Sequence, residues 1–164
     1  MVVFSEMDGI KSRVMTNKYI YIPDLARDMA ECDANFIRLQ QLFPDMEYED
    51  DIEFGIHTST DESVTVAIQI KERCPFTTMV TVKVCSVEDK PLIRWPNLEL
   101  RIYHDVKSAE VVRFERHRNF RFRYPTPNPN MFQPDEKSQI NRFLGELLTY
   151  CIKHGYSLEP VELS

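Results

Sequence analysis

A regular alternation in the middle of the chain limits most tightly what this protein can fold into. At positions 64–71 the sequence reads Val-Thr-Val-Ala-Ile-Gln-Ile-Lys, with a branched aliphatic residue at every second position. Successive side chains of a β-strand point to opposite faces of a sheet, so this period of two predicts a strand with one buried face. The chain therefore needs a sheet whose apolar face is covered by other elements.

Similar but shorter patterns predict the rest of that sheet. Apolar residues alternate with polar ones, or β-branched residues cluster, at 52–56, 76–84, 98–103, 112–114 and 120–124. Turn-forming residues separate most of these runs, as at 60–63, where the sequence is Thr-Asp-Glu-Ser. Short turns join antiparallel neighbours most simply, which predicts an antiparallel sheet of about five or six strands.

Two amphipathic segments flank the strands. Pro23 and Asp24 suit a helix start, and apolar residues then recur every three or four positions until Pro44 ends the pattern. Near the other end, Asp135 is a candidate N-cap, apolar residues form one face over 140–152, and Gly155 stops the helix. Together these patterns predict an α+β fold with an N-terminal and a C-terminal helix packed on one face of the sheet.

Length and composition fit one folded domain. The 164 residues suit a single domain, which we place at 23–164, with an N-terminal arm of uncertain order at 1–22. The six acids within 45–53 indicate a solvated connector after the first helix. The Pro- and Asn-rich segment 124–134 is expected to form an extended loop.

Charge and cysteine usage narrow the class of protein. The net charge of -6 opposes general attraction to DNA or anionic lipid, although it allows a local basic patch. We expect a cytoplasmic protein without a membrane segment, because no signal peptide and no apolar run of membrane-spanning length occur.

None of the four cysteines forms a C-x-x-C pair, which favours free thiols. No spacing of His, Cys, Asp or Glu suggests a metal, and no motif predicts a cofactor.

The first candidate site is a basic side of the sheet. Between positions 101 and 123 there are seven lysines and arginines against three acids, a local excess of four positive charges. If Leu100 and Ile102 point inward, their neighbours point outward. An outward face of this kind could engage a nucleotide, RNA or an acidic protein surface. The residues predicted to carry that binding are Arg101, Tyr103, Arg113, Arg121 and Arg123. Alternatively, these arginines pair with acids on neighbouring strands and face water.

A second hypothesis is a polar cleft for a small ligand or a reaction. His104, Asp105 and Asp135 carry acid and base groups, but no nucleophile motif accompanies them. We therefore lean away from an enzyme. His104 continues the parity of Ile102, which favours a hydrogen-bonded histidine at the edge of the core. A third interpretation is a dimer formed through the exposed sheet face, with arginines paired across subunits.

Several stretches also resemble a known family, the YqiB-like proteobacterial proteins, which have a domain of unknown function. The stretches that carry the resemblance are Cys32 to Phe36 with Leu39, Thr77-Thr78 with Val80-Thr81, Arg101 to Asp105 with Ala109 to Val111, Asp135 to Lys137 with Gln139 to Asn141 and Phe143-Leu144, and Tyr150-Cys151 with His154-Gly155. The resemblance covers about residues 23–158. It implies a bacterial cytoplasmic protein and assigns no activity or catalytic residue.

Overall fold

The computed structural model describes residues 22–59, 61–86, 95–115 and 134–159. In the last of these ranges, side chains are described from Glu136 onward. The described residues form six strands and two helices. In chain order the elements are α1 (Leu25–Leu42), β1 (Asp51–His57), β2 (Ser63–Arg73), β3 (Thr77–Ser86), β4 (Asn97–Tyr103), β5 (Ser108–Glu115), α2 (Pro134–His154) and β6 (Gly155–Ser157).

All strand pairs are antiparallel, and the sheet order is β5-β4-β3-β2-β1-β6. Strands β1 to β5 follow one another as a meander, and β6 returns from the end of α2 to pair with β1. The predicted α+β fold with an antiparallel sheet and two flanking helices is confirmed. The sixth strand of the sheet is β6, however, and the predicted strand at 120–124 lies outside the described residues.

The first helix begins and ends where the sequence pattern indicated. The carboxylate of Asp24, the N-cap, accepts a hydrogen bond from the backbone N–H of Arg27 at 3.1 Å. At the other end, the N–H of Phe43 donates to the carbonyl of Leu39 just before Pro44. The cap and the proline thus fix the length of α1.

The start of the second helix differs from the prediction. It begins at Pro134, so Asp135 is the second helical residue and not the N-cap. Proline is favoured at the first helical position, because its missing N–H would have no partner within the helix. The helix ends at His154 and Gly155 starts β6, as the glycine at this end indicated.

The core lies between the helices and one face of the sheet. The alternating residues predicted to point inward, such as Val66, Ile68 and Leu100, are completely buried. Leu39 of α1 and Leu148 of α2 are equally buried and belong to the same apolar cluster. Both helices therefore cover the same face, and the opposite face of the sheet carries the polar residues of each strand.

Candidate anion-binding site on the open face of the sheet

The face of the sheet that the helices leave uncovered is called the open face here. Directly paired residues on neighbouring strands share a face. In the register of β3, β4 and β5, Thr81 is paired with Glu99 and Glu99 with Arg113, whereas Leu100 and Val111 form a pair on the core side. The open face consequently holds Thr81, Glu99 and Arg113 side by side on three strands.

A depression in the open face crosses these three strands and the end of β2. It has a volume of about 210 Å³. We call it the sheet depression. The side chains that define its chemistry are Lys71, Thr81, Lys83, Asn97, Glu99, Arg113 and Glu115. It thus brings together three cations, two carboxylates, one amide and one hydroxyl.

Two irregularities in strand pairing help to place the cations. The register of β5 against β4 shifts between Glu99 and Leu100, so that the extra residue Val112 separates buried Val111 from exposed Arg113. A second shift, between Ile70 and Glu72 of β2, falls at Lys71. A β-bulge changes the direction in which a strand presents its side chains, and bulges often re-aim side chains at binding sites.

Thr81 is the most unusual residue of the sheet depression. Its side chain is only 7% exposed, although it lies on the open face. Its hydroxyl has no hydrogen-bond partner within the part of the chain that the structure describes. Leaving a buried hydroxyl unsatisfied costs about 1–3 kcal/mol. Buried polar groups without partners are uncommon in folded proteins, so this one marks a place where a ligand atom could bind.

The cations around Thr81 are only partly neutralised. The Nε atom of Arg113 lies 3.5 Å from a carboxylate oxygen of Glu99, and the arginine side chain is 71% exposed. No described carboxylate forms an ion pair with Lys71 or Lys83. The alternative hypothesis, in which arginines pair with acids on neighbouring strands, thus holds in part for Arg113, which is close to Glu99. The charges of Lys71 and Lys83 are not neutralised by a described carboxylate.

Arg101 and Tyr103 also point away from the core, as their parity predicted. The Nε atom of Arg101 lies 3.4 Å from the sulfur of Met79, and its side chain is exposed. Neither residue lines the sheet depression. The hydroxyl of Tyr103 instead donates to Glu110 at 2.7 Å, and the other oxygen of Glu110 lies 2.6 Å from Nζ of Lys137 on α2. These residues form a neighbouring cluster that ties β4, β5 and α2 together.

The charges in this cluster shift two pKa values. Burial alone would raise the pKa of Glu110, but the hydrogen bonds from Lys137 and Tyr103 favour the carboxylate more strongly and lower its pKa. Burial raises the pKa of Tyr103, and its hydrogen bond to Glu110 adds to that effect. Both groups therefore keep their ordinary ionisation states at neutral pH, and the cluster acts as a fixed ion pair with a tyrosine donor.

The side chains of three residues predicted for binding are outside the part of the chain that the structure describes. Arg121 and Arg123 lie outside the described residues, as does the side chain of Asp135. Of the seven side chains that define the sheet depression, sequence reasoning predicted only Arg113 and missed Lys71, Thr81, Lys83, Asn97, Glu99 and Glu115. The alternation of Val80, Val82 and Val84 would have assigned Thr81 and Lys83 to the open face. Nothing local in the sequence indicates that the hydroxyl of Thr81 is buried there without a partner.

His104 lies in a different cavity, on the helix side of the sheet. Its Nε2 atom is 2.7 Å from the hydroxyl of Thr78, which is buried. The two residues line a cavity of about 400 Å³ between the end of α1 and the β2–β3 turn. Asp105, exposed in the β4–β5 turn, is not among the residues that line it. The geometry thus pairs His104 with Thr78 and leaves Asp105 apart.

Metal-binding clusters and membrane-spanning helices are both absent from the described ranges. No cluster of three or more His, Cys, Asp or Glu side chains there has an arrangement that could hold a metal ion. Neither described helix has an apolar run long enough to cross a membrane.

Comparison with known proteins identifies the family. Residues 38–157 match the model of a family described as "Protein of unknown function (DUF1249)". The chain is 33% identical over 144 residues to proteins named "Uncharacterized protein YqiB" from Escherichia coli strains K12, CFT073 and O157:H7, covering 86% of this chain and 97% of each relative. No solved structure matches the chain. The resemblance predicted from the sequence is therefore confirmed, and the chain belongs to the DUF1249 family of bacterial proteins, whose function is not established.

Proposed function

We propose that this protein is a non-enzymatic binding domain that holds a phosphate-bearing ligand of the nucleotide or RNA class in the sheet depression. The observation that carries the proposal is the unpartnered, buried hydroxyl of Thr81 in a depression that three cationic side chains also line. A phosphate oxygen would accept a hydrogen bond from this hydroxyl. Lys71, Lys83 and Arg113 would supply the opposite charge.

The mixture of charges favours a nucleotide over a bare anion. Glu99 and Glu115 also line the depression, so its cations exceed its carboxylates by only one. Carboxylates repel a simple anion but accept hydrogen bonds from sugar hydroxyls. A ligand that carries a phosphate next to a ribose would satisfy both kinds of group. The depression is also too small to receive a broad acidic protein surface as a whole.

Thermal unfolding of the purified protein tests this proposal. The probes are AMP, inorganic pyrophosphate and a hexamer of uridylate, each at low and at high salt. A ligand at a hundred times its dissociation constant stabilises the folded state by about 2.7 kcal/mol, which corresponds to roughly 5–10 °C in Tm for a domain of this size. We expect a rise with AMP and the hexamer that decreases with salt, because charge attraction is screened.

Variants assign any shift to the sheet depression. Lys83→Gln removes one unpaired cation from the site, and Lys153→Gln removes an exposed cation at the end of α2 as a matched control. We expect Lys83→Gln to reduce the AMP affinity by roughly tenfold and Lys153→Gln to leave it unchanged. The absence of a shift with every probe, or equal losses in the two variants, would reject the proposed site.

The His104 cavity is a second candidate site. Its volume of about 400 Å³ lies within the usual range for small-molecule pockets, and its apolar floor includes Phe36 and Ile102. His104 and Thr78 would provide the polar contacts for a small, partly apolar ligand. Replacement of His104 by Gln should then abolish a thermal shift that Lys83→Gln leaves intact. A ligand whose shift depends on Lys83 and not on His104 would exclude this cavity as its site.

A further inference from the structure

A second surface, at the far edge of the sheet, has the opposite charge. A groove of about 770 Å³ runs between the end of α1, the first half of β1, the end of α2 and the segment that follows β6. We call it the edge groove. The sheet depression lies on β2 to β5, whereas the edge groove lies at β1 and β6, so the two surfaces are separate.

Apolar side chains form part of the wall of the edge groove. Ile152 is 40% exposed, Tyr156 37% and Leu158 47%, and all three line the groove. These are large hydrophobic residues that the fold has not buried. A surface of this kind, surrounded by polar groups, is typical of a place where another chain docks.

The charges of the edge groove all have one sign. Its acidic residues are Glu49, Asp51, Glu53 and Glu159, and no Lys, Arg or His is among its lining residues. None of these four carboxylates forms an ion pair within the described part of the chain. An occupant that carries positive charges would meet four unneutralised carboxylates on entering the groove.

The backbone of β1 is also accessible at this edge. Strand β6 pairs only with Phe54, Gly55 and Ile56 of β1, whereas β1 extends back to Asp51. In the described residues, the outer edge of β1 at 51–53 thus has no neighbouring strand and lies along the groove. Unpaired N–H and C=O groups at a sheet edge can bind an extended peptide as an additional strand.

We infer that the edge groove binds an extended, Lys- or Arg-rich segment of a protein partner in which basic and aliphatic residues alternate. The basic side chains would face Asp51 and Glu53, and the aliphatic ones would contact Ile152 and Leu158. Alternation is required because adjacent strand residues point to opposite sides. This inference does not depend on the phosphate-binding function proposed for the sheet depression.

Binding of a synthetic peptide to the full chain tests the inference. The probe is a fluorescein-labelled peptide, Lys-Val-Lys-Val-Lys-Val-Lys, followed by fluorescence anisotropy, with Glu-Val-Glu-Val-Glu-Val-Glu as the comparison. We expect saturable binding of the basic peptide and none of the acidic one. The triple variant Asp51→Asn, Glu53→Gln, Glu159→Gln should weaken binding by at least roughly tenfold. No binding of the basic peptide would overturn the inference.

A matched variant separates this site from general charge attraction. Asp33→Asn, Glu72→Gln and Glu146→Gln remove three exposed acids outside the groove and change the net charge equally. This control should retain the wild-type affinity, and an equal loss in both triple variants would overturn the inference. For the apolar wall, Leu158→Asn should weaken binding, whereas Ile37→Asn, at an exposed position of α1, should not. Equal affinities of these two single variants would argue against apolar contact in the groove.

Discussion

Asn35 of α1 and Asn141 of α2 are joined by a buried hydrogen bond. The side-chain amide of Asn35 donates to the backbone carbonyl of Asn141 at 2.9 Å. The side-chain oxygen of Asn141 in turn accepts from the backbone N–H of Val111 at 2.8 Å. Asn35 is completely buried and Asn141 is 5% exposed. The pair therefore connects both helices to β5 and satisfies an N–H group at the outer edge of that strand.

Replacement of Asn141 by Ala should destabilise the protein by about 1–3 kcal/mol, because the buried N–H of Val111 would lose its acceptor. Urea unfolding followed by circular dichroism measures this change. Arg142→Ala, at the exposed neighbouring position, is the control and should alter the free energy of unfolding by less than about 0.5 kcal/mol. Equal stabilities of the two variants would show that Asn141 does not anchor β5.

The ion pair of Glu110 and Lys137 should make stability fall in acid. The pKa of Glu110 is lowered in the folded state from an ordinary value of 4.5. A lowered carboxyl pKa adds stability that is fully present above the unfolded value and is lost as the pH falls through the folded value. From neutral pH down to about 4.5 the greater stability of wild type relative to Glu110→Gln should therefore stay constant, and in the acid range below about 4.5 it should be lost.

Urea midpoints measured across that pH range check this prediction. Glu115→Gln serves as the control, since Glu115 is an exposed carboxylate of the same strand and forms no ion pair within the described residues. A constant difference between wild type and Glu110→Gln at all pH values would contradict the assignment of the ion pair.

The four cysteines should separate into two reactivity classes. Burial raises the pKa of Cys32 to about 11, with the charge of Glu110 adding to the effect, and burial raises that of Cys151 to about 12. Cys74 and Cys85 are exposed. Because the thiolate is the reactive form, a disulfide reagent at pH 8 should modify Cys74 and Cys85 rapidly and the other two only after denaturation. Rapid reaction of four thiols in the native protein would contradict the placement of both helices.

Gly155 should not tolerate a side chain. A Cβ atom at this position would lie 2.5 Å from the backbone carbonyl oxygen of Cys151, and backbone cannot move aside cheaply. Gly155→Ala should therefore destabilise the protein by about 1–3 kcal/mol through overpacking at the junction of α2 and β6. Lys153→Ala, at an exposed position in the last turn of α2, should be close to neutral. Similar urea midpoints for the two variants would show that the junction relaxes without cost.

Local patterns were sufficient to predict most of the architecture. The period of two in β2 and the spacing in α1 follow from the buried face of each element, so the core residues could be assigned before any contact was known. The same period of two predicted that Arg101 and Tyr103 point to the face away from Leu100 and Ile102. Leu100 and Ile102 are buried in the core, which confirms this parity. The helix ends at Asp24 and Gly155 were recognisable because caps and stop signals act over a few residues.

Features that depend on distant segments could not be predicted. Strand β6 has only three residues and exists because α2 delivers it to β1, which no local pattern indicates. The edge groove arises from the same junction. Likewise, the unpartnered hydroxyl of Thr81 depends on three neighbouring strands, and the role of Asn141 depends on an N–H group of β5. Tertiary contacts, and not residue preferences, decide these features.

The most direct test of the proposed function is the replacement of Thr81 by Val, an isosteric change that removes only the hydroxyl. Without ligand, the free energy of unfolding of the variant should be about 1–3 kcal/mol larger than that of wild type, because the variant buries no unsatisfied hydroxyl at this position. With AMP, the same variant should bind at least roughly tenfold more weakly, since the hydrogen bond to phosphate is lost. Thr65→Val, a half-buried threonine on the open face of β2, should change neither quantity. A Thr81→Val variant that is less stable than wild type, or that binds AMP equally well, would contradict the assignment of Thr81 to a phosphate site.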